Sequence, residues 1–244
     1  MSPTPRCGLR PLACVVMALI LQGCATAPAG VAEQANDPLE SWNRKVFAFN
    51  ESLDENVVKP VATGYVNNVP SIARTGVTNF FNNIQDAWSA INSILQGKVG
   101  NGISDTMRFS TNTVLGIGGL LDWATEFHME RYTEDFGQTL GVWGLGAGPY
   151  VVWPLLGPST VRDTFGLPLD LAATPGFFVE STELGIGLSA LRVVDVRGRL
   201  LNATDLLDDI VLDKYTFVRD GHLQRRRSLV FDGNPPPVSE PPAK

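Results

Sequence analysis

Cysteine is nearly missing from this 244-residue chain, and none of its three copies lies beyond position 24. From Ala25 onward the polypeptide therefore has no disulfide and no thiolate chemistry. Histidine is almost as scarce: His128 and His222 are the only two, too few without cysteine partners for a structural zinc site. No Gly-x-Ser-x-Gly turn accompanies them, which argues against a lipase of the common hydrolase type. No Walker A sequence occurs either, so energy does not come from nucleotide hydrolysis in this chain. Gly185-Ile186-Gly187-Leu188-Ser189-Ala190 matches a dinucleotide fingerprint by letters but follows no strand, and it reads as helix packing. Asp205, Asp208 and Asp209 read as a solvated helix end rather than a calcium site. No catalytic residue, metal or cofactor is expected, and His222 is expected on an exposed, charged helix.

Positive charge is also in short supply. The whole chain carries a net charge of −6, and removing residues 1–23 takes away two arginines and no acid, leaving 17 basic against 25 acidic side chains. A chain at −8 has no general basic surface for phosphates, which speaks against nucleic acid as a partner. One segment lacks charge altogether: the 26 residues from Phe136 to Val161.

What is present begins at the N-terminus. Arg6 and Arg10 precede ten mostly apolar residues, Leu12 to Leu21, too short to span a bilayer but right for a secretory signal. Leu21-Gln22-Gly23-Cys24 resembles a bacterial lipobox, with cleavage before Cys24 and acylation of its thiol and amine. At about 0.8 kcal/mol per buried methylene, two or three acyl chains make release from the membrane negligible. Ala25 in place of aspartate implies sorting to the outer membrane. Residues 24–36 then read as a lipidated tether and 231–244, with five prolines after Asn234, as a disordered tail.

Between them, residues 37–230 read as one mainly helical domain. Trp42, Val46, Phe49 and Leu53 mark an amphipathic helix, with Asp37 as its N-cap and Pro38 at its first position. Pro60 and Pro70 are read as breaks. Val77, Phe80, Phe81, Ile84, Trp88, Ile91, Ile94 and Leu95 fall on one apolar stripe, and Gly97 stops it. Further helices are expected at Ile103–Leu115, Leu184–Leu207 and Asp213–Ser228, the last with Arg225-Arg226-Arg227 complementing its dipole. The charge-free run holds six glycines and three prolines, which no continuous helix tolerates, so it must be irregular or hairpin-like. Such backbone survives at membrane depth only against protein or beside water. A buried core loop and the lining of a wet cavity both satisfy that condition.

Several ordered stretches resemble the VacJ/MlaA family of outer-membrane lipoproteins: Asp37-Pro38-Leu39-Glu40-Ser41-Trp42-Asn43-Arg44, Val77-Thr78-Asn79-Phe80-Phe81-Asn82-Asn83, Glu134-Asp135-Phe136-Gly137-Gln138-Thr139-Leu140-Gly141, Pro154 through Asp163, and Tyr215 through Asp220 with Gln224-Arg225-Arg226. The resemblance implies a ring of helices in the inner leaflet of the outer membrane, lipid-anchored through Cys24, with a Gly/Pro-rich hairpin loop beside a central amphipathic channel. It places Gly144, Gly146, Gly148, Pro149 and Tyr150 in that loop, and Phe47, Phe49 and Asn50 on a helix close to the channel. Phe80, Phe81, Ile84 and Trp88 are then the membrane-facing stripe, and Trp42, Trp88, Trp123, Trp143 and Trp153 are candidates for an interface belt. The implied partners are phospholipids, a trimeric porin and a soluble periplasmic lipid carrier (MlaC-like). The implied role is removal of misplaced phospholipid from the outer leaflet. A membrane-tethered lipid hydrolase and a structural envelope lipoprotein are the rival readings.

Overall fold

The computed structural model describes residues 37–237. The signal segment, Cys24, the tether and the last residues of the tail lie outside the described residues. The chain opens with α1 (Glu40–Leu53), which runs through a π turn (Asp54–Val58) into α2 (Lys59–Asn68). Pro60 therefore breaks nothing. In the widened turn the Lys59 N–H bonds the Asp54 carbonyl, five residues back, and the proline ring finds the room a regular turn denies it. The first helix also starts later than its sequence suggests, because Asp37 and Pro38 form a turn in which the Asp37 carbonyl accepts from the Glu40 N–H.

Pro70 does end a helix, and α3 (Ser71–Leu95) and α4 (Val99–Val114) follow as a pair joined at Gly97, whose φ is +78°. Then come α5 (Trp123–Glu126), α6 (Phe136–Val142), a two-stranded antiparallel hairpin of β1 (Tyr150–Trp153) and β2 (Gly157–Thr160), α7 (Val161–Ala172), α8 (Pro175–Phe178), the long α9 (Thr182–Ile210) and α10 (Lys214–Val230). Four of these starts share one local device. Asp122, Asp135, Thr160 and Asp213 each accept the backbone N–H three residues on, satisfying a donor the helix itself leaves open. The long helix α9 packs on α2, α3 and α8, and α10 lies against α6 and β2. The fingerprint-like Gly185 serves packing: a Cβ there would come within 2.5 Å of the Gly176 carbonyl oxygen.

The distribution of side chains in α3 and α4 is the reverse of a water-soluble core. Asn83, Asp86, Ser89, Asn92 and Ser93 from α3 face Asp105, Arg108 and Asn112 from α4, and all are buried. Spacings of three and four keep them on one side of each helix. Ile91, Ile94 and Leu95 of α3 and Val99, Ile103 and Met107 of α4 stand outside, each between 43 and 56 % exposed. The predicted stripe thus needs correcting. Phe81 turns inward at 7 % exposure, edge-to-face with Phe80, and the Trp88 indole N–H donates to Asp170 Oδ1 at 2.8 Å. Phe80 and Ile84 are half-buried. Among the described residues no helix is long and apolar enough to cross a membrane.

Candidate functional site

The polar seam is held by ion pairs. Arg108, 1 % exposed on its side chain, pairs with Asp86 at 3.4 Å and Asp122 at 3.0 Å, and Arg131 reaches the other Asp86 oxygen at 2.9 Å. Burial pushes the Asp86 carboxyl above its ordinary pKa despite the two guanidinium groups. Ser89 donates to Asp105 at 2.6 Å, and Asp105 accepts the Tyr132 N–H at 3.0 Å. These bonds tie the segment after α5 onto the α3–α4 pair.

A second knot joins α6, α7 and α10. Arg226 reaches Asp163 with Nε at 2.8 Å and Nη2 at 2.9 Å, and reaches Asp135 with the same Nη2 at 2.9 Å and with Nη1. Burial pushes Asp135 up, but the Arg226 guanidinium outweighs it and the carboxyl ends below its usual range. The knot requires glycine beside it. A Cβ on Gly137 would lie 2.6 Å from Asp163 Oδ1, and one on Gly166 would lie 2.7 Å from the Gly137 nitrogen. The basic end of α10 is thus not spent only on its dipole, as the run Arg225-Arg226-Arg227 suggested.

The hairpin packs on α1, α7 and α10, and α1 supplies what its free edge lacks. Val152 N–H donates to Asn43 Oδ1 at 2.8 Å and Asn43 Nδ2 donates to the Tyr150 carbonyl at 3.0 Å. One helical repeat on, Asn50 Nδ2 donates to the Trp153 carbonyl at 3.0 Å and its Oδ1 accepts the Leu155 N–H at 2.9 Å. Two amide side chains seven residues apart therefore stand in for a third strand. Because Val152 N–H points toward α1, its partner Pro158 sits at a non-hydrogen-bonded position of the ladder, where a missing N–H costs nothing. At the tip, Pro154-Leu155-Leu156, Leu155 adopts φ +66° and is 73 % exposed. Its hydrogen bond to Asn50 holds that strained conformation in place.

The glycine loop is not the tip of this hairpin. Gly144, Gly146 and Gly148 lie in the crossing from α6 to β1, and Ala147 and Pro149 carbonyls accept from Arg162 and Val161, extending the ladder by two bonds. Gly144 and Gly148 have φ of +97° and +68°, while Gly144 and Gly146 have no atom within 4 Å of where a Cβ would stand. Tyr150 is 1 % exposed in a small apolar cluster with Val46, Val152 and Tyr215. Phe47 packs on the same cluster, edge-to-face with Tyr215 at 5.7 Å, whereas Phe49 is 55 % exposed. Of the predicted α1 residues, Asn50 is the one that hydrogen-bonds the hairpin. His222 is not exposed either. It lies 6.0 Å from the Tyr150 ring, and burial, with Arg226 nearby, pushes its pKa down to about 4.

Beside the tip opens an apolar cleft of about 460 Å³, lined by Trp153, Leu156, Thr164, Leu167, Leu171 and Phe177 together with Pro168. Its size falls among ordinary small-molecule sites. Its polar edge is the Trp153 indole N–H, which donates to Thr164 Oγ1 at 2.9 Å. Such a cleft has the size and apolar lining that suit an aliphatic chain.

The model of the MlaA lipoprotein family matches residues 35–229. The chain belongs to that family. An "Intermembrane phospholipid transport system lipoprotein MlaA" of Escherichia coli (strain K12) is 36 % identical over 234 residues, covering 92 % of this chain and 90 % of the relative. The Haemophilus influenzae protein of the same description is 31 % identical over 227 residues, covering 91 % and 90 %. A solved chain from work described as "Structural basis for maintenance of bacterial outer membrane lipid asymmetry" aligns at TM-score 0.70 and 34 % identity, covering 82 % of this chain and all of that one. The MlaA match takes in α1, both knots, the hairpin and nearly all of α10. The matching stretches contain Asn43, Asp135 and Asp163 with no role attached, and the sequence assigns Arg226 only to the helix dipole. The spacing of Asn43 and Asn50 by one heptad was the available signal.

Proposed function

We propose that this protein is a nonenzymatic phospholipid conduit of the outer membrane. It is anchored through Cys24 and seated as a helical ring in the inner leaflet. The observation that carries the reading is the inverted α3–α4 pair. Charges sealed inside a seam with isoleucine, valine and methionine outside make a poor arrangement in water and a sound one in hydrocarbon, where polar groups must find partners within the protein. A lipid in transit needs a polar route for its head and an apolar one for its tails. The cleft at the hairpin tip suits a tail, and the glycine loop at Gly144, Gly146 and Gly148, at the hairpin's other end, is the element able to move.

In this reading misplaced phospholipid leaves the outer leaflet through the ring and passes intact to a soluble periplasmic carrier, with a trimeric porin fixing the depth of the ring. Flow is passive, its direction set by the carrier. The names of the Escherichia coli and Haemophilus influenzae relatives support phospholipid transport as the shared activity. Deleting the gene should place phospholipid in the outer leaflet and sensitise cells to detergent; unchanged leaflet composition refutes the role. Intact lipid recovered on the carrier separates a conduit from a hydrolase, which would leave lysolipid and fatty acid.

A further inference from the structure

Where α2, α3 and α9 meet there is a second cavity, of about 220 Å³, and its character is opposite to that of the hairpin cleft. Tyr65, Ser71, Arg74, Thr75, Asp195 and Arg199 line it. Asp195 is 2 % exposed and its oxygens are already occupied: Thr78 Oγ1 donates at 2.8 Å, the Tyr65 hydroxyl at 3.3 Å, and Arg199 Nε approaches to 3.4 Å. Arg74 commits only its Nε, to the Val69 carbonyl at 3.1 Å, and its two terminal nitrogens have no hydrogen-bond partner among the described residues. The Ser71 and Thr75 hydroxyls are likewise uncommitted there. One turn before Asp195, Arg192 meets a glutamine rather than a carboxylate, donating to Gln85 Oε1 at 3.3 Å. Burial and the Arg199 charge lower its pKa from the ordinary arginine value. Two arginines, Arg74 and Arg199, thus line a cavity whose one carboxylate is saturated, in a chain whose net charge is −6.

Spare guanidinium nitrogens and spare hydroxyls around a small volume suit a tetrahedral oxyanion. Ile72, adjoining Ser71, is 80 % exposed, so an apolar surface borders the polar one. A diacyl lipid uses both surfaces, and a free phosphate uses one. We propose that this cavity binds the phosphodiester of a phospholipid headgroup, with Arg74 and Arg199 supplying charge and Ser71 and Thr75 supplying hydroxyl donors. The proposal rests on the conduit reading and names a headgroup station within it.

The test is calorimetric titration of the acylated full chain in neutral detergent with three probes: dihexanoyl phosphatidylglycerol, its deacylated headgroup glycerophosphoglycerol, and inorganic phosphate. Both glycerophosphodiesters should bind one per chain and weaken with added salt, and the intact lipid should bind more tightly than the headgroup. Arg74→Gln with Arg199→Gln should weaken the lipid by about tenfold or more. Thr75→Asp, at an exposed position with no bonds to lose, should do the same, and Arg74→Lys with Arg199→Lys should restore most of the affinity. Unchanged lipid affinity in Thr75→Asp overturns the site even if the glutamine pair fails to fold. Inorganic phosphate binding as tightly as the lipid overturns the headgroup assignment. Transfer of intact lipid from the wild-type protein to the carrier, measured in parallel, tests the conduit on its own. Binding without transfer removes the conduit and leaves the site, and transfer with unaltered variant binding removes only the site.

Discussion

The α3–α4 pair and the hairpin with α1 and α10 are built on opposite plans. The first buries aspartate, asparagine and arginine and exposes isoleucine, valine and methionine. The second buries Val46, Tyr150, Val152 and Tyr215 as a soluble protein would. Under the proposed membrane seating, the difference assigns each region its own solvent. A seam of ion pairs has little net value in water, because desolvation cancels the attraction, but in hydrocarbon an unpaired polar group has no alternative partner. A small apolar cluster needs water outside it to drive its burial. Beside the second region, Arg226 of α10 holds Asp135 and Asp163 in a buried charge knot, placed where α6 and α7 meet glycine against glycine.

The knot gives the largest effect. Arg226→Met strands Asp135 without a cation and leaves Asp163 only Arg162, and it should lower stability by about 3–5 kcal/mol, read as denaturation of the detergent-solubilised protein. A loss below about 1 kcal/mol would show that water reaches the knot. The comparison itself is sharpened by moving one charge. Ile91→Lys on α3, at a residue 50 % exposed, should cost about 3 kcal/mol in bilayers if that face lies in hydrocarbon. Phe217→Lys on α10, at 49 % exposure, should stay within about 0.5 kcal/mol. Equal tolerance at both positions erases the distinction between the regions.

Acid separates them next. His222 has a folded pKa of about 4, below its value in the unfolded chain, so the unfolded state takes up protons first as pH falls. Its contribution to stability is complete above about pH 6.5 and is lost as pH falls toward 4, amounting to about 2 kcal/mol between pH 7 and pH 5. Asp86 and Asp105 have the opposite sign. Burial raises both, so protonation favours the folded seam. Hydrogen exchange should therefore show α10 and the hairpin opening more readily at pH 5 than at pH 7, with α3 and α4 lagging, and His222→Gln should abolish the difference.

Much of the helical order was legible because periodicity and caps are local. The Gly97 stop, the start of α10 at Asp213 and the hairpin in the charge-free run followed from residues within a few positions of one another, although the first seven residues of that run form α6. Three readings failed for the opposite reason. Pro60 looked like a break because the π turn that accommodates it has no signature in side-chain pattern. The stripe through Phe80, Phe81 and Trp88 mistook the apolar face for a continuous outward one, when the asparagines and Asp86 opposite were the packed surface. His222 looked exposed because its neighbours in sequence are charged, while the Tyr150 that covers it lies 72 positions away. The apolar cleft was invisible, since Trp153, Thr164 and Phe177 converge only once the hairpin has folded back onto α7.

The smallest effects belong to the loop that links the knot to the hairpin, and there the three glycines are not equivalent. At Gly148 a side chain meets both a left-handed φ of +68° and the Val161 Cβ at 3.2 Å, so Gly148→Val strains the entry to β1 and should lower stability by about 1–3 kcal/mol. Gly146 has neither constraint: its φ is not left-handed and a Cβ would meet open space. Gly146→Val should therefore leave stability within about 0.5 kcal/mol. What it removes is backbone freedom, and if the loop must move for lipid to pass, transfer to the carrier should slow severalfold in a protein that denatures at the wild-type midpoint. Transfer at the normal rate in Gly146→Val, with Gly148→Val affected only through its stability, would make the loop a fixed strut that shapes the hairpin and gates nothing.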